Sequence, residues 1–392
     1  MISLDQVIAD TQALVRIDSQ NPGPLEIQCA EWVGNRLADA NLAPVRLPID
    51  GDRANVAVQI SGADPTCPRL VILAHMDTIP VGEGWTVPPM DGQISGGRIY
   101  GRGSCDMKGG LAVAINVLES LAASNGQPPG DVVLAATVDE EAPGMLGVHS
   151  LFESGFFRPD DQILAPEPTG LRLRIAQMGL RWLTLRVHGR MAHAGRAHLG
   201  IDANHVMALV VNKFKSTFED LPYEDDILGR PRFTCGTIRG GVATNVVPPS
   251  SEANFDIRIV PPMTISGVEE MLRNVVESVI ADFPGASYDV ELLGAGRPPV
   301  RASDDSPIVR ALREAFLKEV GEELPSGGPD GHEAYTDASM VAALSGSDSC
   351  AVFGPGTTDR AHTADEFVPI ADLEHASQVL WSLATDCHPG LI

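Results

Sequence analysis

Several segments of this sequence end in side chains that can hold a cation or move a proton. The run Leu70–Ala74 is followed by His75-Met76-Asp77, and Val132–Val138 by Asp139-Glu140-Glu141. Ile163–Ala165 leads into Pro166-Glu167, and Cys350–Phe353 into a loop that carries His362. A fifth segment, GRGSCDMKGG, sets Asp106 just before a helical pattern. In open α/β sheets the carboxyl ends of the strands are where ligands bind. Carboxylates crowded at one edge repel each other unless a cation neutralises them. Two imidazoles and three carboxylates form an N/O donor set that suits Zn²⁺, with Co²⁺ or Mn²⁺ as other occupants. A pair of ions about 3.5–4 Å apart requires a shared carboxylate. Asp106 is the natural bridge, because its segment lies between the others. Asp77 follows His75 by two residues, so in an extended chain both point the same way, and its carboxylate is placed to accept the second ring N–H.

The elements that must position these groups read as follows. Short apolar runs bounded by polar, Pro or Gly residues are buried strands. Between the first two runs, Lys108–Ala123 carries Leu111, Ala114, Leu118 and Leu121 at helical spacing. The alternation implies an α/β sheet with helices on both faces. After about Met178 the style changes. Leu180–Val187 reads as a strand, and Ala253, Phe255, Ile257 and Ile259 alternate with polar residues, as in a strand with one wet face. Residues 202–218 are helical. Near residue 295 the first style returns, with Ser306-Pro307 as an expected N-cap and first-turn proline, a final buried strand and a last helix from about Pro369. The expectation is an α/β domain over 1–177 and 293–392, interrupted by a smaller α+β domain over 178–292.

Composition narrows the partners. The chain has 392 residues and a formal net charge of −24. Such acidity excludes nucleic acid, whose phosphates need a basic face, and disfavours an anionic membrane. No apolar stretch is long enough to span a bilayer. The six cysteines are scattered without a CxxC pair, so we expect neither a thiolate zinc site nor a disulfide framework. The first residues lack a basic region and a continuous apolar run. Ser3 with Gln6 reads instead as a capping box, and a cytoplasmic compartment is expected.

Taken in order, HMD at 75–77, GRGSCDMKGG at 101–110, DEEAPG at 139–144, EPT at 167–169 and AHTADE at 361–366 resemble a known family. It is the di-zinc amidohydrolase and metallopeptidase family of acetylornithine deacetylase, succinyl-diaminopimelate desuccinylase, aminoacylase and glutamate carboxypeptidase, and the resemblance covers essentially the whole chain. It implies a catalytic domain with a central mixed sheet flanked by helices, interrupted by a lid and dimerisation domain. It implies that His75 and Glu167 bind one metal ion, Glu141 and His362 a second, and that Asp106 bridges them and precedes a cis peptide. Glu140 would be the general base for a metal-bridging hydroxide, with Asp77 supporting His75. VHGRMAHAGRAHLGIDA resembles the lid, with His193 as the residue that reaches the other subunit's site in a homodimer. Arg196 and Asp202 depart from the family's proline and asparagine there. Asn245 and Arg258 would hold a substrate carboxylate, the glycines of GPG at 354–356 would let backbone approach the substrate, and Thr336-Asp337 matches a substrate-side pair.

Cys105 beside Asp106 is read as packing rather than ligation. His149, His188, His198, His205, His332, His375 and His388 show no partner pattern and are read as ordinary. The expected reaction is metal-dependent hydrolysis of the amide of an N-acyl amino acid, a small carboxylate-bearing substrate. The alternative is a carboxypeptidase or dipeptidase; IRIVPPMT at 257–264 leans slightly to the deacylases. A catalytically dead binding protein is the reading from another class, and the intact Glu140 with a full ligand set speaks against it.

Overall fold

The apolar runs read as buried strands lie side by side. In the computed structural model, which describes residues 2–124, 126–325 and 335–386, Leu70–His75 pairs in parallel with both Val132–Thr137 and Gln162–Ala165. Every residue of these three strands is buried, as parallel strands covered on both faces must be. Cys350–Val352 extends the parallel part beyond Gln162–Ala165. Arg53–Ile60 and Val45–Asp50 add two antiparallel strands at the other side. The result is a six-stranded mixed sheet whose parallel strands end at His75, Thr137, Ala165 and Val352. The segments that carry Asp77, Glu140 and Glu141, Glu167 and His362 follow those ends, whereas Asp106 follows Arg98–Tyr100, a strand of a separate three-stranded sheet.

Helices cover this sheet. Gly109–Ala123 packs on Leu4–Arg16 and Ile370–Thr385, and Pro307–Val320 packs on Ile370–Thr385. Gly109–Ala123 is apolar almost all round and is buried continuously from Gly109 to Leu118, as expected for a helix enclosed by neighbours over most of its length. Two local expectations change. Ser3 accepts the Gln6 N–H, but the Gln6 side chain turns to Asp10, so the reciprocal half of the capping box is missing. Ser306 precedes Pro307 without making a side-chain cap.

The described residues fall into two compact units, one over Ala176–Val300 together with Tyr335 and the other over the rest of the chain on either side. The inserted unit is a four-stranded antiparallel sheet in the order Arg232–Gly240, Ser250–Ile259, Gly179–His188, Ser287–Arg297. Its last strand carries it past residue 292. Along Glu252–Ile259 the apolar residues are buried and the polar ones are partly wet, the alternation read from the sequence. Helices Ala203–Glu219 and Ile265–Ile280 pack on the apolar face, with Phe214 and Phe218 in the core. Asp202 accepts the His205 N–H and caps the first of them.

Among the described residues no helix is long and apolar enough to cross a membrane. Against expectation, Cys67 is disulfide-bonded. Cys29, Cys105, Cys235 and Cys350 are free thiols.

Candidate metal centre

His75 closes its strand almost fully buried, at 1% exposure. Its Nδ1 lies 2.9 Å from the carbonyl oxygen of Asp77, so Nδ1 carries the proton and Nε2 is the free donor atom. Nε2 lies 3.2 Å from Asp106 Oδ1 and 3.8 Å from Glu167 Oε2. Asp106 sits in the short turn Ser104–Lys108, and its peptide bond to Met107 is cis. Its second oxygen, Oδ2, lies 3.4 Å from His362 Nε2, which is 3.0 Å from Glu141 Oε1. The donor atoms thus form two clusters, His75–Asp106–Glu167 and Asp106–Glu141–His362, each within 4.8 Å, and Asp106 gives one oxygen to each. Glu140 stands beside them, its Oε2 3.9 Å from His75 Nε2.

The donor set fits a pair of cations. Tetrahedral zinc at about 2.0–2.1 Å from each ligand sets ligand atoms roughly 3.4 Å apart, the scale seen here. The electrostatics agree. Burial alone would push His75 down, but Glu167, Asp106 and Glu140 hold it well above its ordinary range. Hydrogen bonds to Asp106 and Glu141 hold His362 at about 11. Burial raises Asp106, yet His362 and His75 outweigh it and keep that carboxylate well below its usual range. The crowded carboxylates therefore demand positive charge, which divalent ions can supply in place of ring protons.

Asp77 corrects one expectation. Its carboxylate oxygen lies 3.7 Å from His75 Nδ1, beyond a hydrogen bond, and the backbone carbonyl takes the ring proton instead. The carboxylate is occupied elsewhere. It accepts the backbone N–H groups of Glu140 at 3.2 Å and Glu141 at 3.1 Å, and the Asn21 side-chain amide at 3.1 Å. Burial pushes this carboxyl up to about 7, with His75 pulling against it. Residues given no role from sequence complete the frame. Fully buried Glu366, within the AHTADE motif, accepts the N–H groups of Cys105 and Asp106 at 2.9 and 3.1 Å and pairs with Arg102 at 2.5 Å. Its place in a motif already singled out was the available signal.

His193 lies in the inserted unit, exposed, at the N-cap of the short turn Ala194–Leu199. Its Nδ1 accepts the Gly195 N–H at 3.0 Å. Asn245 is its neighbour, because the Ala194 N–H donates to the Asn245 carbonyl and His193 bridges to Val246. Arg258 lies on the wet face of the sheet in a two-pronged pair with Asp256, at 2.8 and 3.0 Å.

The glycines of 354–356 do work within the protein. A Cβ on Gly354 would fall 2.4 Å from the Pro166 backbone, so Gly354 lets the His362 loop lie against the loop that carries Glu167. Thr336 and Asp337 are likewise used inside: Thr336 caps the helix Asp337–Ser345, and Asp337 accepts from Thr137 at 2.5 Å. Cys105 is buried and donates to the Thr357 carbonyl. His332 and His388 lie outside the described residues. Among the described residues, no other histidine joins a cluster of metal donors.

The sequence profile of Peptidase family M20/M25/M40 matches residues 71–386. A succinyl-diaminopimelate desuccinylase of Rhodospirillum centenum is 31% identical over 78% of this chain and 78% of its own. A probable succinyl-diaminopimelate desuccinylase of Staphylococcus epidermidis is 25% identical over 91% of each chain. Among solved structures, an M20 family metallo-carboxypeptidase from Sulfolobus solfataricus superposes with a TM-score of 0.82, at 19% identity over 99% of this chain and 100% of that one.

Proposed function

The chain belongs to Peptidase family M20/M25/M40, and from that premise we propose that it hydrolyses the amide of an N-acyl amino acid as a metal-dependent deacylase. The observation that carries this reading is the pair of donor clusters sharing Asp106, with Glu140 beside them. The named chemistry of the desuccinylase relatives points to the same substrate class. His75, Asp106 and Glu167 would hold one ion, and Asp106, Glu141 and His362 the other. Zinc is the metal we assign, on its preference for this N/O set. Bound there, the two ions supply Lewis acidity, lowering the pKa of water and polarising a carbonyl.

The chain's own groups do the rest. Glu140 takes the proton of the attacking water at its carboxylate and returns it to the leaving nitrogen, a general base that becomes a general acid. Asp77 holds the Glu140 and Glu141 amides, so the two adjacent carboxylates keep separate tasks. With Nδ1 of His193 accepting from Gly195, the neutral ring carries its proton on Nε2, the donor we assign to the tetrahedral oxyanion. We assign the inserted unit as the lid and dimerisation domain, with His193 acting across a homodimer. Asn245 and Arg258 are the proposed contacts of the substrate carboxylate, which would compete with Asp256 for the Arg258 fork. The free thiols of Cys29, Cys105, Cys235 and Cys350 support a cytoplasmic site of action, and the disulfide at Cys67 runs against it. Alkylation in fresh lysate should find Cys67 reduced, and a Cys67 that stays protected would contradict that site of action.

The test is a panel of N-acetyl amino acids, N-succinyl amino acids and dipeptides, each with zinc and with manganese. Hydrolysis of N-acyl substrates supports the proposal. Cleavage of dipeptides alone would move it to the carboxypeptidase or dipeptidase reading, and no cleavage of any amide would reject both.

A further inference from the structure

Two adjacent glutamates serve different tasks here, and the turn before them is unusual. Asp139 follows the strand Val132–Thr137 by two residues and adopts a φ of +68°, a left-handed conformation that non-glycine residues rarely hold without support. The support is on every side. The Asp139 N–H donates to Glu26 Oε1 at 3.0 Å. Its Oδ1 accepts from Arg53 at 2.8 Å and from the Asn21 amide at 3.0 Å, and its Oδ2 from the Leu146 N–H at 3.3 Å. Arg53 in turn grips fully buried Glu26 with two hydrogen bonds of 2.8 Å. Asn21 donates to Asp77 as well as Asp139, which joins this cluster to the carboxylate that holds the next two amides. Three successive backbone N–H groups, at 139, 140 and 141, are therefore each fixed by a buried carboxylate.

We propose that Asp139, clamped by Glu26, Arg53 and Asn21, is a positioning residue that sets the turn from which Glu140 and Glu141 reach the site. The proposal rests on the hydrolase reading and deepens it. The left-handed step turns the chain out of the direction of the strand. The two residues that follow it lie at the donor clusters, Glu140 beside His75 and Glu141 against His362. Arg53 is the cation that keeps two buried carboxylates, Glu26 and Asp139, together at this spot. No member of the clamp is a metal donor, so its influence passes through the turn alone.

The test compares Asp139→Ala with Asp139→Asn in the full chain, by Co²⁺ titration against a chelator, the Co²⁺ absorption spectrum, and the kcat and KM of the best panel substrate. Asparagine tolerates a left-handed backbone and keeps an acceptor for Arg53 and Asn21; alanine does neither. In Asp139→Ala the ion held by Glu141 and His362 should bind about 10–100-fold more weakly, while the ion held by His75 and Glu167 keeps its affinity. Its kcat should fall at nearly constant KM, and Asp139→Asn should restore both readouts towards the wild type. Unchanged binding of both ions, or equal weakening of both, would overturn the proposal. If Asp139→Ala does not fold, Arg53→Lys carries the test: selective weakening of one ion supports it, and no change overturns it. A wild-type chain that cleaves no amide would sink the hydrolase reading while the Co²⁺ titration still decides the role of Asp139.

Discussion

Glu140 and Asp77 are close neighbours with different surroundings, and the proposed roles differ accordingly. Glu140 is buried beside the two donor clusters and belongs to neither, which suits the proposed role of general base. Glu140→Gln should lower kcat by about 10²–10⁴-fold, the usual worth of a general base, while metal content measured on the same sample stays near that of the wild type. Parallel loss of metal would instead make Glu140 a ligand. Asp77 acts through backbone. Asp77→Ala removes the acceptor of two amides and should cost both kcat and affinity for the ion at Glu141, read by the same titration. Four of the five candidate metal donors were legible in the sequence because each closes or follows an apolar run, and strand ends can be read from those runs; Asp106 was read instead from its place just before a helical pattern. The Asp77 contact was misjudged because alternation along a strand predicts side-chain direction, whereas the chain leaves the strand at His75 and presents its carbonyl instead.

At the scale of elements, the loop carrying Glu167 is held by close approach on two sides. A Cβ on Gly110 would fall 2.0 Å from the Pro166 carbonyl oxygen, and one on Gly354 would meet the same residue. Gly110→Ala should therefore destabilise the fold by about 1–3 kcal/mol in denaturant unfolding and weaken the ion at Glu167, since the helix Gly109–Ala123 must move off that loop. In the inserted unit Phe214 is fully buried among Phe218, Phe233 and Phe255. Phe214→Ala should cost about 3–5 kcal/mol in the same measurement. The strands and helices of both units were readable where their pattern is strong, as in Val132–Thr137 or the alternation along Ser250–Ile259. The clamp on Asp139 was not, because Arg53 and Asp139 are 86 residues apart and only the pairing of Arg53–Ile60 with Val132–Thr137 brings them together. Ser306 was misread for a related reason: its sequence context is that of a cap, but its hydroxyl makes no capping bond.

For the whole molecule, three of the carboxylates behind the net charge of −24, Asp106, Glu141 and Glu167, meet in the two donor clusters, where a cation would neutralise them. The proposed cross-subunit lid has its own test. Mixing inactive His193→Ala with inactive Glu140→Ala protein under conditions that exchange subunits should restore part of the activity, because some sites in hybrid dimers then receive an intact His193 and an intact Glu140. No recovery in exchanged hybrids would place His193 outside the partner's reaction. The central claim, a two-ion amide hydrolase, is tested most directly by stripping the metal and titrating it back while following bound ions and amide cleavage together. Activity should vanish in the stripped protein and return as up to two divalent ions bind per chain. A metal-free protein that remains fully active would contradict the account.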